Sequence, residues 1–314
     1  MRKLRRIVLL TVAVIIAIPV LLLSTTATYN YFATRSEASD ITSYGRLVPV
    51  DGKKMNVVVS GQGSETIVLL PGLGTAAPGL DYQPLITALS AQYKVVAVEQ
   101  FGTGLSDQTD ADRSSANIVR EVHEALQYLG IDQYVLMGHS IAGIYALTYA
   151  AEYPDELVAF VGIDSSVPGQ PGWDEPLPTE AIDIAHDVGL TRLLTALTDD
   201  PYAGLPYDQH TKEQMKLLSN KNSAAPTLLK EMEDVPANFA SANGTTFPTS
   251  LPVLLFVVAN DTDVPEWVDL HRQQAASVDT GQVIPLPGEH YLHHTLSPEI
   301  ARDTTAFLET LPLR

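Results

Sequence analysis

Eight short apolar runs, most of them separated by stretches of helical periodicity, constrain this chain more than any other feature. They lie at residues 44–50, 53–60, 66–70, 94–98, 134–137, 157–163, 252–259 and 282–286. Runs of this length, rich in Val, Ile, Leu and Phe, read as strands. Strands alternating with helices imply a largely parallel sheet covered on both faces. The first two runs meet at Asp51-Gly52, a strong hairpin signal, so they supply an antiparallel edge. The clearest helix is expected at residues 115–129, where Ile118, Val122, Ala125, Leu126 and Leu129 share one face and Gly130 follows the end.

The alternation stops between residues 165 and 251. That interval offers prolines, a Gly-Trp pair and two helical patterns at residues 179–198 and 212–234, and reads as a helical cap. Its apolar faces suggest a substrate of hydrophobic character, although cap helices also need apolar faces to pack. The expected organisation is a core of residues 44–164 and 252–314 with the cap inserted at 165–251.

Ahead of the core stands an apolar segment, residues 7–23, preceded by Arg2, Lys3, Arg5 and Arg6; no further charge appears until Arg35. Seventeen helical residues cover about 25 Å, and the uncharged residues 24–28 bring the run past the ~30 Å of a bilayer core. With Tyr29, Tyr31 and Phe32 at its far end, residues 1–28 read as an uncleaved signal anchor with its basic end in the cytoplasm. A cleaved signal peptide ending near Ala27 is the alternative. Either way the bulk of the chain is expected to be extracytoplasmic, and residues 29–43, small and polar from residue 33 on, are expected to be a tether.

Four of the 19 basic residues precede the apolar segment and all 37 acidic ones follow it. So acidic a surface disfavours a nucleic-acid partner. The absence of cysteine excludes disulfides, thiol nucleophiles and thiolate metal sites.

The chemistry centres on YVLMGHSIAG, residues 134–143. A strand leads into a turn that presents Ser140 between Gly138 and Ala142, and a helix-forming stretch follows up to Pro154. A nucleophile on such a turn sits in strained backbone and tolerates only small neighbours. These residues resemble the nucleophile elbow of the α/β-hydrolase superfamily, with Ala142 where the usual form has glycine. The resemblance extends over residues 44–311 and implies an α/β-hydrolase fold: eight strands, helices on both faces, and a cap after the sixth strand.

A serine hydroxyl needs a base, and the base needs a third group to orient it; in this superfamily acid and then histidine follow the serine. QVIPLPGEH, residues 282–290, resembles the last strand and its Gly-x-His loop and implies His290 as the base. PVLLFVVAND, residues 252–261, resembles the seventh strand and its acid loop. Asp261-Thr262-Asp263-Val264-Pro265 matches the family's Asp-x-x-x-Pro spacing and points to Asp261. Asp164, at the end of the sixth strand in GIDSS, and Asp263 remain alternatives, with a helix cap as the plainer role of Asp263. The oxyanion donors implied are the backbone N–H groups of Ile141 and of Leu73, in LLPGLGT, where Pro71 replaces the family's frequent histidine.

His290, His293 and His294 are close in sequence, but no carboxylate stands beside them at helical ligand spacing, so neither metal nor cofactor is expected. His139 is expected to pack beside the elbow, and His123, His186, His210 and His271 to lie at the surface or in the cap. The Gly-x-Gly of EQFGTGLSD, residues 99–107, lacks the continuation a nucleotide loop needs and reads as the loop after the fourth strand. A serine nucleophile disfavours the dehalogenase and epoxide-hydrolase branches. The expectation is a serine hydrolase acting on an ester-like or amide-like bond. Acyltransferases and cofactor-free peroxidases use the same triad, and a tethered ligand-binding protein without turnover is an alternative of another class.

Overall fold

The computed structural model describes residues 2–311. Every expected run is a strand: β1 (Arg46–Val50), β2 (Lys53–Ser60), β3 (Thr66–Leu70), β4 (Lys94–Glu99), β5 (Tyr134–His139), β6 (Leu157–Ile163), β7 (Val253–Val258) and β8 (Gly281–Leu286). They form one eight-stranded sheet in the order β1-β2-β4-β3-β5-β6-β7-β8. The hairpin β1-β2 and the pair β2-β4 are antiparallel and all other neighbours parallel, so the antiparallel edge lies where Asp51-Gly52 placed it.

Strands buried on both faces explain the unbroken apolar runs. β5 and β7 are buried at every position, and two apolar clusters fill the two faces of the sheet. One holds Val96, Leu136 and Phe160 together with Ile118, Val122 and Leu126 from the helix Ser115–Tyr128. The other joins Val95, Met137 and Phe256 to Leu85 and to Ile300 and Phe307 of the helix Ser297–Glu309. Ser114 starts the helix Ser115–Tyr128 by accepting from Asn117 N–H, the usual serine cap.

Both cap patterns contain a break. Residues 179–198 form two helices, Thr179–Asp187 and Leu190–Leu197, because Gly189 adopts φ +70° and ends the first. The second pattern becomes Gln209–Asn222 and Pro226–Ala242, since Pro226 can begin a helix but not continue one.

The chain divides into two compact units: residues 1–42 with 178–203, and residues 43–177 with 204–314. The larger holds the sheet and the helices Gln209–Asn222 and Pro226–Ala242.

In the smaller unit the N-terminal segment is one helix, Arg2–Glu37, long and apolar enough to cross a membrane by length and composition. It continues as far as Glu37 through residues expected to be an irregular tether. Nothing in residues 29–37 breaks a helix, and their polar side chains find partners on residues 186–192. Thr26 Oγ1 donates to Val188 O at 2.7 Å and Asn30 Nδ2 to His186 O at 3.0 Å. Arg192 forks onto Asn30 Oδ1, Thr34 Oγ1 and Glu37 Oε1 at 3.0, 3.2 and 2.6 Å. The helix meets Gly189 so closely that a β-carbon there would stand 2.5 Å from Thr26 O.

Candidate active site

The strand β5 delivers Ser140 to a turn at φ +54°, a region that non-glycine residues rarely occupy. Small neighbours are a steric necessity here. A β-carbon on Gly138 would lie 2.9 Å from the Ala142 methyl, and one on Gly143 would lie 2.3 Å from Ser166 O. Ala142 is accommodated because position 138 has no side chain. Ser166 N–H donates to Ser140 O at 2.7 Å, and Ser140 N–H to Ile163 O at 3.3 Å, so the turn is fastened to the end of β6.

The loop after β3 packs directly on this turn. A β-carbon on Gly72 would stand 2.7 Å from His139 Nδ1 and 2.9 Å from Ser140 Cβ. Leu73 follows, and neither its N–H nor that of Ile141 donates to any group among the described residues. Two adjacent free backbone donors beside a serine suit an oxyanion hole.

Of the three candidate aspartates, the structure brings Asp164 to His290 and leaves Asp261 and Asp263 apart from it. His290 Nδ1 donates to Asp164 Oδ2 at 2.6 Å. Asp164 Oδ1 accepts from Val258 N–H at 2.9 Å and from the Trp267 indole Nε1–H at 2.7 Å. Asp164 is 1% exposed, at φ +42°, with its own N–H donating to Phe256 O. Asp261 instead accepts from the N–H groups of Asp263 and Val264 at 2.9 and 2.7 Å, an Asx turn. Asp263 is exposed, and it does not cap the helix that follows, whose N-cap position is Glu266, without a side-chain cap. The physical reason is register. Ile163 pairs with Phe256, so Asp164 emerges level with the end of β7, whereas Asp261 lies three residues beyond that strand.

His290 and Ser140 are linked through His139. The His139 ring lies 4.6 Å from that of His290, and its Nε2–H donates to His290 O at 3.1 Å. Burial, followed by the nearby His293 and His290, pushes the His139 pKa well below the ordinary value, so this ring stays a neutral brace. With Nδ1–H given to Asp164, the His290 lone pair resides on Nε2. Ser140 Oγ makes no hydrogen bond among the described residues; catalytic contacts often tighten only when substrate binds.

Next to this group Asp81 binds two histidines, His293 Nε2 at 2.7 Å and His294 Nε2 at 2.8 Å. Such a trio could be read as a metal site. The separations are those of hydrogen bonds, whereas ligand atoms about 2 Å from a tetrahedral ion stand roughly 3.3 Å apart. His293 Nδ1 is also buried without the partner that a metal-bound imidazole ordinarily has. Burial alone would raise the Asp81 pKa, but the two histidine donors outweigh it and hold the carboxyl well below the usual range.

Glu99 explains the Gly-x-Gly loop. It is buried and accepts from Tyr44 Oη, Asn56 Nδ2, Gly79 N–H and Leu105 N–H at 2.6 to 3.0 Å. A β-carbon on Gly104 would overlap its carboxylate. Gly104 makes room for this carboxylate, and Gly102 for Thr227, whose Cβ would stand 2.8 Å from a β-carbon there.

A model of the alpha/beta hydrolase family matches residues 67–302. The chain is an alpha/beta hydrolase. YbdG of Bacillus subtilis (strain 168), an uncharacterized protein, is 28% identical over 302 residues, 91% of this chain and 92% of that one. Among solved structures, Cfl2 from Burkholderia cenocepacia superposes with a TM-score of 0.64 at 21% identity, over 84% of this hydrolase and 95% of that chain. The epoxide hydrolase VrEH1 from Vigna radiata superposes with a TM-score of 0.64 at 18% identity, over 85% and 98%. At such identities these two structures speak for the fold of this hydrolase.

Residues that sequence reading passed over complete the site. Trp267 bears no motif. His271, expected at the surface or in the cap, is buried, with its ring nitrogens 2.8 Å from Trp267 O and from Ser165 O. Asp81 is 212 residues from His293 in sequence, so no local spacing could reveal it. GIDSS, with its aspartate at a strand end followed by small residues, was the available signal for Asp164.

Proposed function

We propose that this hydrolase cleaves an ester-like or amide-like bond through Ser140, His290 and Asp164. The observation that carries this reading is the 2.6 Å bond from His290 to a buried, triply held Asp164, beside a serine on a strained elbow and two unpaired N–H groups.

The reaction then runs in two halves. As Ser140 Oγ bonds to the carbonyl carbon, its proton passes to His290 Nε2, and Leu73 and Ile141 N–H groups receive the oxygen on which charge develops. Asp164 offsets the charge of the imidazolium and holds its orientation. Collapse of the tetrahedral centre breaks the bond to the leaving group, which takes the proton from His290. Water, deprotonated by the same nitrogen, attacks the acyl-serine; as the acyl C–Oγ bond breaks, the acid leaves and His290 returns the proton to Ser140 Oγ. The substrate is taken to be a small molecule of hydrophobic character.

The same reading places the protein on a membrane through an uncleaved N-terminal helix, with the catalytic part extracytoplasmic. In its favour, the helix passes without a break through the region where a signal peptide would be cut, and Thr26, Asn30, Thr34 and Glu37 are engaged by residues 186–192.

A fluorophosphonate probe tests the chemistry. Wild-type protein is expected to be labelled once per chain and Ser140→Ala not at all, with unchanged circular dichroism. Labelling of folded Ser140→Ala would remove the assignment.

A further inference from the structure

We propose that Trp267 is the positioning residue of the catalytic acid: its indole N–H fixes the rotation of the Asp164 carboxylate, and through it the imidazole of His290. The proposal rests on the serine-hydrolase reading given above.

An aspartate carboxylate turns easily about χ2, a broad and roughly two-fold torsion. For Asp164 to serve one histidine, something must hold its other oxygen. Two donors do so from one side, both on Oδ1: the backbone N–H of Val258 at 2.9 Å and the Trp267 indole at 2.7 Å. Only Oδ2 is then left for His290. The backbone donor belongs to the end of β7. Among the described residues the indole is the one side-chain donor on Oδ1, and Trp267 is buried, 6% exposed, so water does not readily replace it.

The indole is itself built into place. Trp267 N–H donates to Val264 O at 2.9 Å, and Val264 N–H in turn donates to Asp261 Oδ1. Asp261, whose spacing suggested the catalytic acid, thus folds the turn from which the tryptophan's helix, Trp267–Ala275, begins. One turn later His271 stands 4.4 Å from the indole at 71°, its two ring nitrogens 2.8 Å from Trp267 O and from Ser165 O, the carbonyl of the residue next to Asp164, and the neutral ring donates to one of them. Acid and donor are therefore locked to one another at both backbone and side chain.

The experiment uses the full-length hydrolase and p-nitrophenyl acetate as probe substrate. Trp267→Phe removes the donor. Replacing Trp267 by benzothienylalanine, which keeps the bicyclic shape and lacks only the N–H, guards against a folding defect. A hydrogen bond to a charged group warrants a fall in kcat of about 10- to 100-fold in both variants, with KM within about twofold. The far-downfield proton resonance of His290 Nδ1–H is expected to broaden or vanish in both, and to persist when Trp267 is replaced by 5-fluorotryptophan, which retains the donor. Folded variants with wild-type kcat and an intact resonance would overturn the proposal. If Ser140→Ala and Asp164→Asn also leave turnover intact, the triad reading itself falls; if they abolish it while the benzothienylalanine protein is unimpaired, only the role of Trp267 does.

Discussion

The loops after β6 and β7 each present an aspartate near the end of a buried strand, and the two differ in nearly everything else. Asp164 is one residue past its strand, buried, held at positive φ and surrounded by three donors. Asp261 is three residues past its strand and spends its carboxylate on the N–H groups of its own turn. A carboxylate that closes a local turn has a stable role with no distant partner, so it can satisfy a family's spacing without doing the family's chemistry. What separates the two is where the register of the parallel strands ends, a property of the sheet that no short motif records.

The most direct way to break this contrast is to neutralise each aspartate in turn. Asp164→Asn is expected to lower kcat by roughly 10⁴, as loss of the orienting acid does in other triads. Asp261→Asn, by contrast, is expected to cost no more than about tenfold, through a loosened Trp267 turn. Comparable losses in steady-state ester hydrolysis would erase the distinction.

A second effect sharpens what the loops hold between them. Gly72→Ala forces a methyl to within 3 Å of both His139 and Ser140, so the Leu73 donor must move. A displaced oxyanion donor predicts a kcat loss of about 10² to 10³ with substrate affinity little changed. Wild-type turnover in that variant would remove Leu73 from the site.

The third test is pH. Burial, first among its causes, lowers the pKa of His139, His271 and His293 below the ordinary 6.5. Below that value the unfolded rings take up protons while the folded ones stay neutral, so the unfolded state binds more protons and stability rises with pH. Each ring contributes a slope of up to about 1.4 kcal/mol per pH unit. Asp81, depressed in the fold, adds loss of the same sign at still lower pH, as the unfolded carboxyl takes up a proton while the folded one stays ionised. Denaturant midpoints are therefore expected to fall steadily from pH 6.5 to pH 5; a flat profile would mean that these rings are not held neutral.

The smallest effect falls on the turn itself. Asp261→Ala is expected to destabilise the fold by about 1 kcal/mol, the value of hydrogen bonds closing an exposed turn, read as a shift in thermal midpoint.

Much of this molecule was legible before any coordinates. Runs such as residues 66–70 and 157–163 coincide with β3 and β6 because strands buried on both faces need continuous apolar sequence. Ser140, Gly72 and Gly143 were legible because a strained turn and close backbone approach admit few residue types. Asp164 could be named among alternatives but not selected, since selection required the pairing of Ile163 with Phe256. Trp267, His271 and Asp81 left no trace, because each acts through a partner that only the folded sheet brings near. The break at Gly189 was hidden by an apolar pattern that continues across it.

The N-terminal helix has a consequence for how this hydrolase can be handled. Its 36 residues extend about 54 Å, well beyond the ~30 Å of a hydrocarbon core, and its upper turns carry the acceptors of Arg192 and the carbonyl against Gly189. Trimming the chain at residue 38 to obtain a soluble enzyme would strand a guanidinium and bare the surface of residues 186–192. Any apolar helix substituted for it would have to join ahead of Ser24 and leave the rest of the helix as native sequence.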